Sequence, residues 1–294
     1  MRKPIFKGAA TAIVTPFSNY GVNFDKLGEL LEFQISEGID AVVVCGTTGE
    51  ASTMPDNEHV ATVKYAVDKV NKRIPVIAGA GSNDTYHATE LSKKLEEAGA
   101  DALLAVTPYY NKTSQKGLIA HFGASARSVK LPFILYNVPS RTGLNIAPDT
   151  LGELSKIENI VGIKECNLEQ VPEVILKCGG DFAIYAGDDG IALPLMAWGG
   201  LGVISVMANI IPKDTRDMCA KYFAGDFDGA KAIALNTFPL FRALFCEVNP
   251  IPVKEAMNLM GFGVGEGRLP LVSISEGNRK IVKGALEAYG LLKE

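Results

Sequence analysis

Ile160-Val161-Gly162-Ile163-Lys164-Glu165-Cys166 is a short apolar run that closes on a lysine and its two polar neighbours. An ammonium in such a run is anomalous, because burial without a partner is costly and desolvation drives its pKa down toward the neutral amine, a nucleophile. Read as a strand, the run puts Ile160, Gly162 and Lys164 on one face, so the amine projects over a residue that has no side chain. That placement suits a Schiff base with a carbonyl substrate. The bland alternative is a strand-end lysine whose stem is buried and whose ammonium reaches water. What stands at the ends of comparable runs decides between the two.

Such runs recur at residues 8–14, 41–46, 76–81, 102–107, 133–137, 182–187 and 202–206, each rich in Val, Ile and Ala and each closed by Gly, Pro or polar residues. They are apolar on both faces, as parallel strands covered on both sides are. Helical periodicity fills the intervals: Leu27, Leu30, Leu31 and Ile35 form one stripe, Val60, Val63, Val67 and Val70 a second, Leu91, Leu95 and Ala98 a third. Gly38 and Gly99 mark helix ends, and Asn83 or Asp84 caps the start of the third helix. Eight strand–helix units predict an α/β fold, a (β/α)8 TIM barrel over residues 1–225 that carries the active site, with a doubly wound sheet as the alternative. Strand signals stop after Gly225. Residues 226–294 read as a C-terminal helical region, with helices at 226–246, 251–260 and 273–289, and the chain must bend at Asn249-Pro250-Ile251-Pro252, where two prolines fix φ and remove two donors.

Composition narrows the function. A hydrophobic content of 47% supports a large core, and a net charge of −4 without any Lys/Arg block argues against nucleic acid and for small-molecule partners. Cys45, Cys166, Cys178, Cys219 and Cys246 are scattered, odd in number and never in a CxxC spacing, which predicts reduced thiols. The first six residues lack an apolar signal core, and no window approaches the ~20 apolar residues of a membrane span. The expectation is a soluble cytoplasmic protein. His59, His87 and His121 are dispersed, so no metal site is expected. The dinucleotide, Walker and GxSxG motifs are absent. Asp188-Asp189 reads as two solvated or helix-capping carboxylates, since consecutive side chains diverge.

In a barrel of this kind, chemistry sits where strands end. Gly46-Thr47-Thr48-Gly49-Glu50 follows the second strand, and its amides and hydroxyls suit a small carboxylate, although Gly/Thr turns are also ordinary punctuation. Thr107-Pro108-Tyr109-Tyr110 follows the fourth strand and Tyr136-Asn137 ends the fifth. A tyrosine there is a proton carrier or a packed ring with a wet tip. Arg141 follows in a loop, solvated or poised to clamp a carboxylate with both arms.

Taken together, GTTGE at 46–50, TPYYNK at 107–112, YNVPSRTG at 136–143, GIKE at 162–165, YAGDD at 185–189, GVISV at 202–206 and NPIPVK at 249–254 resemble the dihydrodipicolinate synthase family. The resemblance runs in the family's order over essentially the whole chain. It implies a class I lyase of the pyruvate aldolase superfamily that condenses pyruvate with L-aspartate 4-semialdehyde to 4-hydroxy-tetrahydrodipicolinate, in the diaminopimelate route to lysine, with no cofactor. By the resemblance Lys164 forms the Schiff base with pyruvate and Tyr136 is the general acid/base. Thr47 and Thr48 hold the pyruvate carboxylate, Thr48 also linking Tyr136 and Tyr110 in a proton relay. Arg141 binds the aldehyde substrate's carboxylate, and Gly187 and Ile204 line the pyruvate pocket. Tyr110 reaches into a neighbouring subunit of a homotetramer built as a dimer of tight dimers.

N-acetylneuraminate lyase and the 2-keto-3-deoxy sugar-acid aldolases share the lysine chemistry, and Arg141 is what separates them, since sugar-acid relatives generally lack an arginine there. In relatives inhibited by lysine, the effector pocket corresponds to Ala51 through His59 with Asn83, position 87 and Tyr109. His87 replaces a glutamate of that pocket and Asp56 a histidine. Lysine is therefore expected to inhibit weakly or not at all at millimolar concentration.

Overall fold

Small and β-branched residues dominate the eight runs, and in the computed structural model they become the strands β1 (Gly8–Ala12), β2 (Ala41–Val44), β3 (Val76–Gly79), β4 (Ala102–Val106), β5 (Phe133–Asn137), β6 (Ile160–Glu165), β7 (Ala183–Ala186) and β8 (Gly202–Ser205). The structure describes residues 3–18 and 21–292; Met1 and Arg2, the start of the N-terminal stretch read above, lie outside the described residues. Neighbouring strands pair in parallel and β1 pairs with both β2 and β8, which closes the barrel. Around it run α1 (Phe24–Ser36), α2 (Asp56–Val70), α3 (Thr85–Glu97), α4 (Gln115–Arg127), α5 (Pro148–Leu154), α6 (Val171–Cys178), α7 (Ala192–Ala197) and α8 (Pro212–Phe223). The (β/α)8 expectation holds.

Alternation along the strands sorts two apolar layers. Ala10, Val43, Ile77, Leu104, Ile134 and Ile204 fill the barrel interior, while Val42, Val44, Leu103, Leu135 and Val203 pack outward against Leu27, Leu31, Val63, Leu91 and Leu95 of the helices. Each fully buried Leu or Val contributes about 1.5–3 kcal/mol. The second helical stripe is displaced from its expected line: His59, Thr62, Val63, Ala66 and Val70 are the buried residues of α2, and Val60 and Val67 flank them half-buried. Of the two candidate caps for α3, Asp84 serves, accepting from the amides of Tyr86 and His87. Gly38 and Gly99 adopt φ of +80° and +91° just past the ends of α1 and α3.

β6 is irregular. Phe133 pairs with Ile160 but Ile134 pairs with Gly162, so Val161 is an extra residue in the ladder. This corrects the expectation that Ile160, Gly162 and Lys164 share one face: Ile160 packs outward with the helix layer, and Val161 takes the interior position.

The N-terminal end of the barrel is plugged. Phe6 stacks on Tyr185 of β7 at 4.2 Å between ring centroids, and the Tyr185 hydroxyl donates to the Phe6 carbonyl at 2.8 Å. Only the C-terminal mouth remains for a site. Past α8, three helices follow: α9 (Phe227–Leu244), α10 (Ile251–Leu259) and α11 (Glu276–Tyr289). Their starts are set by Asp226 and Ser275, whose side chains cap α9 and α11. The third helix thus begins later than the expected residue 273. No helix among the described residues is long and apolar enough to cross a membrane.

Candidate active site

Lys164 and Tyr136 are direct neighbours across the β5–β6 ladder, with the Lys164 Nζ 4.6 Å from the Tyr136 ring centroid. Lys164 is 5% exposed. Burial pushes its pKa below the ordinary lysine value, and the charge of Arg141 acts the same way, which favours the unprotonated amine. Burial also raises the Tyr136 phenol well above its usual range, and the side chains of Thr47 and Cys166 stand near enough to its hydroxyl to act on it. The phenol is therefore held in its neutral, proton-bearing form.

Two glycines divide the work expected of Gly162. A Cβ at Gly162 would lie 2.3 Å from the Ala183 carbonyl oxygen, so its bareness lets β6 and β7 approach rather than making room for the amine. Beside the amine it is Gly187, just past β7, that is needed: a Cβ there would meet Cys166 Sγ at 2.4 Å and Lys164 Cγ at 3.2 Å.

The loop Gly46–Glu50 lies across the mouth and is held from both sides. The Thr15 hydroxyl donates to the Gly49 carbonyl at 2.7 Å. Glu50, at φ +57°, is buried in an ion pair with Lys254 of α10 at 2.5 Å and accepts from the Arg268 amide at 2.8 Å. Thr48 accepts from the Asn249 side-chain amide at 3.0 Å. Of the two threonines, Thr47 is the one whose side chain acts on the Tyr136 hydroxyl. Glu50 in GTTGE and Asn249 and Lys254 in NPIPVK belong to stretches that carry the resemblance, but none was expected to hold the loop, because a contact spanning 201 positions leaves no local pattern.

A cavity of about 760 Å3 opens here, lined by Thr47, Thr48, Tyr136, Arg141, Lys164, Cys166, Gly187 and Asn249 among others. Arg141 sits in a four-residue helix, Pro139–Thr142, directly after β5, on the cavity rim. Two expected site residues lie elsewhere. Ile204 is fully buried in the barrel interior, and Val206, two positions on, lines the cavity instead. Tyr110 is 92% exposed and is not among the residues that line its own chain's cavity. Asp188 and Asp189, read alike in sequence, differ from each other in the structure. Asp188 accepts from the Gly190 amide as a cap, but Asp189 is not solvated: one oxygen accepts from the amides of Val206 and Met207 at 3.1 Å each.

The cavity continues past Ala51 and Asp56 to Asn83, His87 and Tyr109. There His87 Nε2 lies 2.8 Å from Asp56 Oδ1 and its Nδ1 2.9 Å from the Ser82 hydroxyl. Lys94 reaches the other Asp56 oxygen at 3.1 Å.

An eight-stranded parallel barrel with one mouth, and in that mouth a desolvated lysine beside a neutral tyrosine, defines an enzyme of the class I lyase and aldolase type. The model of the dihydrodipicolinate synthetase family matches residues 5–289, and the chain belongs to that family. It is 62% identical to the 4-hydroxy-tetrahydrodipicolinate synthase of Acetivibrio thermocellus over 99% of this chain and 100% of that one. Among solved structures, dihydrodipicolinate synthase from Aquifex aeolicus superposes with a TM-score of 0.96 at 42% identity, covering 98% of this chain and 100% of that one. The enzyme from Cyanidioschyzon merolae with lysine bound superposes with a TM-score of 0.95 at 40% identity, covering 99% and 100%.

Proposed function

We propose that Lys164 is the Schiff-base residue of a synthase that condenses pyruvate with L-aspartate 4-semialdehyde to 4-hydroxy-tetrahydrodipicolinate, in the diaminopimelate route to lysine. The observation that carries this is the buried amine of Lys164 against the Tyr136 ring, in a cavity with Arg141 on its rim. The neutral amine adds to the keto carbon of pyruvate; Tyr136 passes protons as the carbinol loses water and the iminium forms. The iminium nitrogen then serves as electron sink, so no cofactor is needed. Loss of a methyl proton gives an enamine, whose carbon attacks the aldehyde of the second substrate. The amino group of the adduct displaces Lys164 by transimination, closing the ring.

In this reading Thr47 and Thr48 receive the pyruvate carboxylate, Gly187 leaves space beside the amine, and Ile204 supports the pocket from below. Arg141 pairs with the carboxylate of the aldehyde substrate. Tyr110 completes the proton path in a neighbouring subunit of a homotetramer, a dimer of tight dimers, in the cytoplasm. Residues 1–225 carry the reacting groups and residues 226–294 hold the carboxylate loop. Borohydride with pyruvate should add the mass of a reduced pyruvyl group at Lys164 and abolish activity. Labelling of a different lysine, with Lys164→Ala still active, would overturn the assignment.

A further inference from the structure

We propose that Asn249 is a positioning residue for pyruvate, which orients the Thr48 hydroxyl so that its proton is presented to the substrate carboxylate. The inference rests on the function proposed above and extends it to a residue in the C-terminal helical region. Asn249 is 5% exposed, lines the catalytic cavity, and donates through Nδ2 to Thr48 Oγ1 at 3.0 Å. Its Oδ1 is buried with no hydrogen-bond partner among the described residues, so the amide is not a strut in a wider network. Among the described residues Thr48 is the one side chain to which Asn249 is hydrogen-bonded.

A hydroxyl has one proton and two lone pairs. With Nδ2–H already occupying a lone pair of Thr48, the hydroxyl proton must point elsewhere, and Thr48 itself faces the cavity. A donor fixed in that direction meets a carboxylate as a charge-assisted hydrogen bond, roughly twice as strong as a neutral one. The Nδ2–H bond also polarises the Thr48 oxygen and makes its proton a better donor. Without Asn249 the hydroxyl is free to rotate, and about two of its three staggered rotations present a lone pair to an anion. The flanking chain keeps the geometry fixed, because Lys254 and Arg268 grip Glu50 two residues beyond Thr48.

Asn249→Asp discriminates this role from bracing. The carboxylate is isosteric, but when ionised it only accepts, so it captures the Thr48 proton and turns a lone pair toward pyruvate. The pyruvate concentration that gives half-maximal borohydride trapping at Lys164, and the pyruvate KM, should rise about ten- to hundredfold. The KM for aspartate semialdehyde should stay as in the parent. Lowering the pH should restore pyruvate affinity in this variant as the new carboxyl regains a donor. Asn249→Ala should weaken pyruvate trapping too, and should cost nothing further in a Thr48→Val background.

Parental half-trapping in a folded Asn249→Asp enzyme would overturn the inference. So would a full additional loss from Asn249→Ala in the Thr48→Val background, or equal losses for both substrates with a lowered melting temperature. If Asn249→Asp does not fold, the Asn249→Ala and Thr48→Val cycle decides alone. Absence of trapping at Lys164 in the parent enzyme is a separate result and removes the proposed function beneath the inference.

Discussion

Arg141 is the residue whose removal separates the two substrates. It stands on the rim of the cavity, whereas the amine that meets pyruvate lies below it at the end of β6. Arg141→Ala should leave pyruvate trapping nearly intact and lower kcat/KM for aspartate semialdehyde about ten- to hundredfold, the scale of one lost charge-assisted bond. An unchanged value would favour a sugar-acid aldolase. Glu165, next to the lysine, faces the other way. It is fully buried, and desolvation raises its carboxyl from 4.5 to about 7 although Asn137, Gln170 and the Asn167 amide donate to it. The folded state therefore holds a proton that the unfolded chain releases, so the stability from this group is complete below about pH 4.5 and is lost as the pH rises through about 7. Glu165→Gln removes that dependence. Its melting temperature relative to the parent should increase between those pH values; a constant difference would show that Glu165 is ionised throughout.

At the scale of elements, the β6–β7 ladder tells stability from catalysis. Gly162→Ala drives a Cβ into the Ala183 backbone and should cost about 1–3 kcal/mol of stability. Gly187→Ala pushes instead on Cys166 and Lys164, and should lower kcat with a smaller effect on melting temperature. The reverse ranking would mean that Gly162 is the one that shapes the amine's surroundings. The two glycines also show what the sequence made legible. Periodicity and composition predicted the strands, the barrel and Lys164, because a strand covered on both faces writes its environment into consecutive residues. A one-residue bulge at Val161 preserves composition and shifts only the ladder partner, so it inverted the facing of Ile160 unseen. The grip of Asn249 on Thr48 and of Lys254 on Glu50 was equally hidden. It depends on how α10 returns to the mouth, and neither end of such a contact has a periodic partner nearby.

At the scale of the molecule, one chain does not place every expected group in its own cavity. If Tyr110 serves a neighbour, mixing Tyr110→Phe with Lys164→Ala, each inactive alone, should restore activity in hybrid dimers; no recovery after verified exchange would return Tyr110 to its own chain. Feedback by lysine depends on the far end of the cavity. There the Asp56 carboxylate is already shared between His87 and Lys94, so an incoming ammonium finds no unpaired partner, and each 1.4 kcal/mol withheld is about tenfold in affinity. Initial-rate titration should show little inhibition at millimolar lysine, and half-inhibition well below that would overturn the argument. The grip of the C-terminal region on the Gly46–Glu50 loop has one more consequence, for the chain as it is made. Residue 50 leaves the ribosome long before Asn249, Lys254 and Arg268, which hold that loop. A nascent chain already carrying its lysine, its tyrosine and all eight strands therefore lacks the contacts that hold its carboxylate loop until those residues emerge.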